Sequence, residues 1–147
     1  MERYWEDYAV GEEFTTSGRT MTDADIRMFI GATDATHPAH VDAEYSKKHP
    51  FGTIVVQGAL TVGVVDGLVV KHLVGSKVQI GHYGYDRIRF LSPVRVGDTV
   101  SMVAKVAEKR ERNERFGLVV FDYDVRNQNG TTVAVIRDIQ MVERKPL

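Results

Sequence analysis

From Ile54 to Val74 the chain is nearly all apolar, IVVQGALTVGVVDGLVVKHLV, and Gln57, Asp66 and Lys71 interrupt it before a clean bilayer span accumulates. The pattern predicts a buried helix. Gly58, Gly63 and Gly67 lower helix propensity, so each is expected to admit another backbone closely. Downstream of Gly75 the period changes to two. Lys77–Leu91, Thr99–Arg110, Phe116–Asn127 and Thr131–Glu143 read as strands, with Val119, Phe121, Tyr123 and Val125 alternating against Val120, Asp122, Asp124 and Arg126. Asn129-Gly130 marks a tight hairpin, and Pro93 with Gly97-Asp98 marks an earlier turn. Four long antiparallel strands that follow one buried helix imply a sheet curled around that helix, with an open edge that invites a second copy.

Upstream, Thr22-Asp23-Ala24-Asp25 supplies a cap and acids for a helix start. Ile26, Phe29 and Ile30 follow at helical spacing, and the helix is expected to end near Ala32. Thr33 to Pro50 has little apolar period but carries Asp34, His37, His40, Asp42 and His49. It reads as an irregular segment where chemistry is concentrated. Trp5 and Tyr8 are expected to cover the sheet or a subunit contact, and His72 and His82 to be structural.

Composition narrows the function classes. The 147 residues fit one domain, 1–147, with a core of its own. Nineteen Lys and Arg against twenty Asp and Glu leave a net charge of −1, which gives no field to gather nucleic acid. No cysteine is present, so neither a disulfide nor a nucleophilic thiol is available. The acidic, aromatic start MERYWEDYAVGEE is unlike a signal peptide, and a cytoplasmic protein is expected. His37, His40 and His49 lack a ligand spacing, so no metal is expected.

Three stretches, in order, carry a family resemblance. Gly31-Ala32-Thr33-Asp34-Ala35-Thr36-His37-Pro38-Ala39-His40-Val41-Asp42 resembles the hydratase motif of MaoC-like dehydratases and (R)-specific enoyl-CoA hydratases. Val56-Gln57-Gly58-Ala59-Leu60 resembles the start of that family's central helix, and the run from Arg89 to Asp98 its strand and turn. The resemblance implies an α+β hot-dog domain, a curved antiparallel sheet wrapped around a central buried helix. It also implies hydration or dehydration of an enoyl thioester, fatty-acid metabolism, no cofactor besides the coenzyme A or carrier thioester itself, and a homodimer or higher oligomer. Membrane and nucleic acid are not expected partners. Asp34 and His40 take the catalytic positions and Gly58 the oxyanion position. Two departures stand out: the Asp-to-His spacing is six rather than five, and His37 replaces the Asn before the proline. His37 is therefore the alternative imidazole, and the extra residue is expected to be absorbed as a local bulge.

Such a reaction needs a base for water, an acid for the α-carbon, and donors for the charge on the thioester oxygen. An Asp and a His can hold one water between them, and an unpaired amide at a helix start can face the oxygen. Two other readings compete. Hot-dog thioesterases place a carboxylate on the central helix, where Asp66 stands, and a non-catalytic acyl-binding subunit would keep the pocket alone. Arg110, Arg112 and Arg115 lie in a mixed run that reads as a solvated hairpin, with coenzyme A phosphate contacts as the lesser reading.

Overall fold

The alternating segments are the ones that pair. The computed structural model describes residues 2–75 and 77–146. In chain order it contains β1 (Glu13–Thr15), β2 (Arg19–Thr20), α1 (Asp23–Thr33), α2 (Pro38–Val41), α3 (Ala43–Lys48), α4 (Gly58–His72), β3 (Gln79–Phe90), β4 (Thr99–Glu111), β5 (Phe116–Arg126) and β6 (Thr132–Glu143). The sheet runs β1-β4-β5-β6-β3, with β2 pairing farther along β4. Every pairing is antiparallel, and β3 forms one edge. The hairpin between β5 and β6 turns at Gly130, whose φ of 75° is open to glycine.

The helix α4 packs on the face of the sheet that presents Val119, Phe121, Tyr123 and Val125. Val62, Val65, Leu68 and Val69 share one core with them. Each such side chain contributes roughly 1.5–3 kcal/mol on burial. Leu118, Val120 and Ile139 form a smaller cluster on the opposite face. That explains why β5 is apolar on both sides along its first half.

Three sequence expectations need correction. Thr33 to Pro50 is not irregular: His37 Nδ1 accepts the Ala39 amide at 3.2 Å to start α2, and Asp42 Oδ1 accepts the Tyr45 amide at 2.9 Å to start α3. Polar caps build these helices in place of an apolar stripe. The short strands β1 and β2 were not foreseen. Finally, no backbone crowds the glycines of α4. A Cβ on Gly58 would meet the Phe90 ring at 2.7 Å, while Gly63 and Gly67 have nothing within 4 Å.

Trp5 lies on Gly117 of the sheet, and its Nε1 donates to the Leu118 carbonyl at 3.1 Å. Tyr8 is buried and donates to the Leu73 carbonyl at 2.7 Å; burial pushes its pKa up to about 12. Both aromatics cover the sheet, as expected. His72 is held by Ser17 at 2.9 Å.

His82, itself exposed, reaches the rim of a buried network under α4. Its Nε2 lies 2.6 Å from Oδ1 of Asp138, a residue only 1% exposed. Asp138 Oδ2 accepts from Tyr123 at 2.6 Å and from Gln140 at 2.7 Å, and Gln79 donates to Gln140 at 2.6 Å. Burial, then Asp138, raises the Tyr123 pKa far above its ordinary value.

At the start of α1, Thr22 and Asp25 form a capping box, and Arg19 holds both Asp25 oxygens at 2.6 and 2.9 Å. Arg19 first, then Thr22, holds the Asp25 carboxyl well below the usual range against the opposing effect of burial. A carboxyl with a lowered folded pKa stabilises fully above its unfolded pKa of about 3.9, and that contribution is lost as pH falls through the folded value. Asp25→Asn is therefore expected to cost about 1–2 kcal/mol at neutral pH. The gap from wild type should close progressively in acid. Urea midpoints at neutral pH and in strong acid check this, and a pH-independent gap would contradict it.

Candidate active site

The helix α1 ends where the first candidate stands. Asp34 is its C-cap, with φ 58° and ψ 25°, and its amide donates to the Ile30 carbonyl at 2.7 Å. It is the one non-glycine with positive φ among the described residues. Aspartate tolerates this left-handed backbone better than most residues, yet it still carries a conformational cost. Its side chain is exposed and makes no hydrogen bond or ion pair among the described residues. The Thr36 amide returns to the Asp34 carbonyl at 2.9 Å, closing a turn between Asp34 and α2.

The two histidines separate by what they bond. The ring of His37 is exposed and occupied in capping α2. His40 is half-buried, and its Nδ1 lies 2.7 Å from the Val55 carbonyl. A carbonyl only accepts, so Nδ1 carries the proton and Nε2 is left to act as an acceptor. The Val55 amide in turn donates to the Ala39 carbonyl at 3.2 Å, tying the segment before α4 to α2.

That tie brings His40 beside the start of α4. His40, Gly58, Thr61, Phe51 and Phe90 line one cavity of about 270 Å³. The helix begins at Gly58, and Gln57 caps it without a side-chain hydrogen bond. The Gly58 amide has no partner among the described residues, so an unpaired donor at the positive end of a fifteen-residue helix opens beside the cavity. The ring of Phe90 stands against Gly58, leaving no room for a side chain there. The structure thus brings His40 and Gly58 to one cavity. Asp34 does not line it and stands across the turn that precedes α2.

Phe90 and Phe51 were not foreseen in the site. Both are large apolar residues left exposed, 54% and 42%, beside polar neighbours. Asp66, the carboxylate on which a hydrolase reading would rest, is half-buried about two turns beyond Gly58. It faces Tyr85 and Tyr123 and helps keep both hydroxyls protonated. Arg110 holds Glu108 at 2.7 Å, Arg112 stacks over Tyr83 at 5.0 Å and Arg115 stacks over Phe116 at 5.1 Å. Tyr83 lies seven residues before Phe90 on β3, roughly 23 Å at strand spacing, so in the same chain Arg112 is remote from the cavity.

A curved antiparallel sheet around one apolar helix, with an imidazole and a free helix-start amide on a common cavity, defines a hot-dog α+β domain. The same fold appears in a double-hotdog protein of Mycobacterium tuberculosis, with a TM-score of 0.84 at 17% identity over 99% of this chain and 45% of that one. Residues 7–127 match the MaoC like domain, and the chain belongs to the MaoC-like dehydratase family. It is 31% identical to an (R)-specific enoyl-CoA hydratase of Rhodospirillum rubrum, over 70% of this chain and 69% of that protein. It is also 31% identical to Protein MaoC of Klebsiella aerogenes over 77% of this chain, but spans only 33% of that longer protein. The solved MaoC-like dehydratase of R. rubrum superposes with a TM-score of 0.86 at 28% identity, covering 99% of both chains. Among the described residues, no helix is long and apolar enough to cross a membrane.

Proposed function

We propose that this chain adds water to trans-2-enoyl thioesters, and removes it from 3-hydroxyacyl thioesters, with the 3-hydroxyl in the R configuration. The observation that carries this reading is the shared cavity of His40, whose free nitrogen is Nε2, and Gly58, whose amide is unpaired. The names of the related hydratases support it. In the forward direction the water oxygen bonds to C3 while His40 Nε2 accepts its proton; the family motif assigns Asp34 as the second proton carrier, reaching the water from outside the cavity lining of the single chain. A proton returns to C2, and the charge that develops meanwhile on the thioester oxygen is held by the Gly58 amide. Aromatic and aliphatic side chains line the wall against which the acyl group would rest. We read the chain as a single domain that works without a cofactor other than the thioester carrier, and as a cytoplasmic enzyme.

The test is incubation with crotonyl-CoA while both enoyl absorbance and free thiol are followed. Loss of absorbance without thiol is expected, whereas thiol release would establish hydrolysis in its place.

The assembly we propose is a homodimer. Ala59, Gly63, Gly67 and Val70 form an exposed stripe on α4, and β3 carries exposed Ile80 and Tyr83 on a strand with one open edge. A second copy that extends the sheet through β3 would cover both features. Sedimentation equilibrium should return twice the chain mass of 16.5 kDa, and a monomer at micromolar concentration would count against this assembly.

A further inference from the structure

Gln57 is 4% exposed, and neither its Nε2 nor its Oε1 has a hydrogen-bond partner among the described residues. It is the one residue there whose side-chain polar atoms are all buried and all unpaired. A buried primary amide has two donors and an acceptor, and leaving them unmatched carries a desolvation penalty that selection against instability would ordinarily remove. The position needs no amide for its local structure, since Gln57 caps α4 without its side chain. Its neighbours Val56 and Gly58 both line the cavity. So does Thr61, four residues on and on the same face of the helix, whose hydroxyl donates to the Gln57 carbonyl at 3.3 Å. The carboxamide therefore sits behind the stretch of cavity wall that Val56, Gly58 and Thr61 form.

We propose that Gln57 is a specificity-determining residue that gives the acyl pocket a polar inner wall. The pocket then selects a short acyl chain bearing a hydrogen-bonding group, such as a hydroxyl, at its far end. This rests on the thioester reading above. At about 270 Å³ the cavity falls just below the usual span of small-ligand sites, roughly 300–1,000 Å³, which suits a short acyl group. With the thioester oxygen at the Gly58 amide and the reacting carbons beside His40, the distal carbon of a four-carbon chain arrives at the wall that Gln57 backs. Rotation about the flexible Gln57 side chain turns its amide toward the cavity and replaces two unmet groups with a ligand contact. A purely apolar chain offers no such exchange.

The experiment measures calorimetric affinity of 4-hydroxybutyryl-CoA and butyryl-CoA for the wild-type protein and for Gln57→Leu, with Gln57→Met as a second variant should the first fold poorly. The wild-type protein is expected to bind the hydroxylated thioester about 10- to 100-fold more tightly, and the variants to lose or reverse that preference. Equal wild-type affinities would overturn the proposal, as would a preference that survives in both variants, which would mean that water alone serves the amide. Turnover of crotonyl-CoA and 4-hydroxycrotonyl-CoA is read separately. Failure of turnover with the binding preference intact strikes the hydratase reading and supports the pocket assignment.

Discussion

Asp34→Asn and His40→Gln are each expected to lower enoyl-CoA hydration by roughly 100- to 10,000-fold, the range that positioned acid–base groups supply. The two exchanges isolate proton transfer from folding. Asparagine, like aspartate, tolerates the left-handed backbone at position 34, where φ is 58°, and the Asp34 side chain has no hydrogen bond to lose among the described residues. Glutamine at position 40 can still donate an amide hydrogen to the Val55 carbonyl, which His40 Nδ1 engages at 2.7 Å, but has no group that titrates. Melting temperatures should therefore stay close to wild type while the rate collapses. His37→Gln is the control, because the exposed His37 ring is already engaged in capping α2; it should retain activity within a few-fold. Loss of turnover in the control with survival in His40→Gln would transfer the imidazole role to His37.

The largest change in stability is expected from Asp138→Ala. Its carboxylate gathers the Tyr123 hydroxyl, the Gln140 amide and the His82 imidazole under α4. Deleting it leaves the buried Tyr123 hydroxyl and Gln140 amide without their acceptor, in a region where Asp138 itself is 1% exposed. Removing one member of such a buried group costs about 3–5 kcal/mol. At roughly 2–4 °C per kcal/mol for a chain of this size, the thermal midpoint should fall by about 10 °C. Asp138→Asn should cost less, because one amide oxygen can still accept. A midpoint unchanged in Asp138→Ala would show that the network is hydrated and not structural.

The parts of the fold legible in the chain were those with a long, regular period. The strands β3 to β6 run for eleven to thirteen residues rich in Val, Ile, Phe and Tyr, with alternation clearest in β4 and the second half of β5, and α4 is predominantly apolar over fifteen. Helices α2 and α3 escaped because polar caps at His37 and Asp42, and not an apolar face, define them. Strands β1 and β2 are three and two residues long, too short for a period to register. In the site, spacing after Pro38 favoured His40, and the bond to Val55 supplies a physical reason that spacing lacks. The Asp138 network was invisible for another reason. Its members come from β3, β5 and β6, and only the register of those strands brings them together.

The left-handed backbone at Asp34 has a consequence for anyone redesigning this protein. A procedure that ranks substitutions by thermal robustness alone would place glycine there, since glycine occupies that backbone region without a steric cost. On the chemistry proposed above, the sturdier molecule would be an inert one. Ranking schemes applied to this chain need a functional constraint at that position before they are trusted anywhere else.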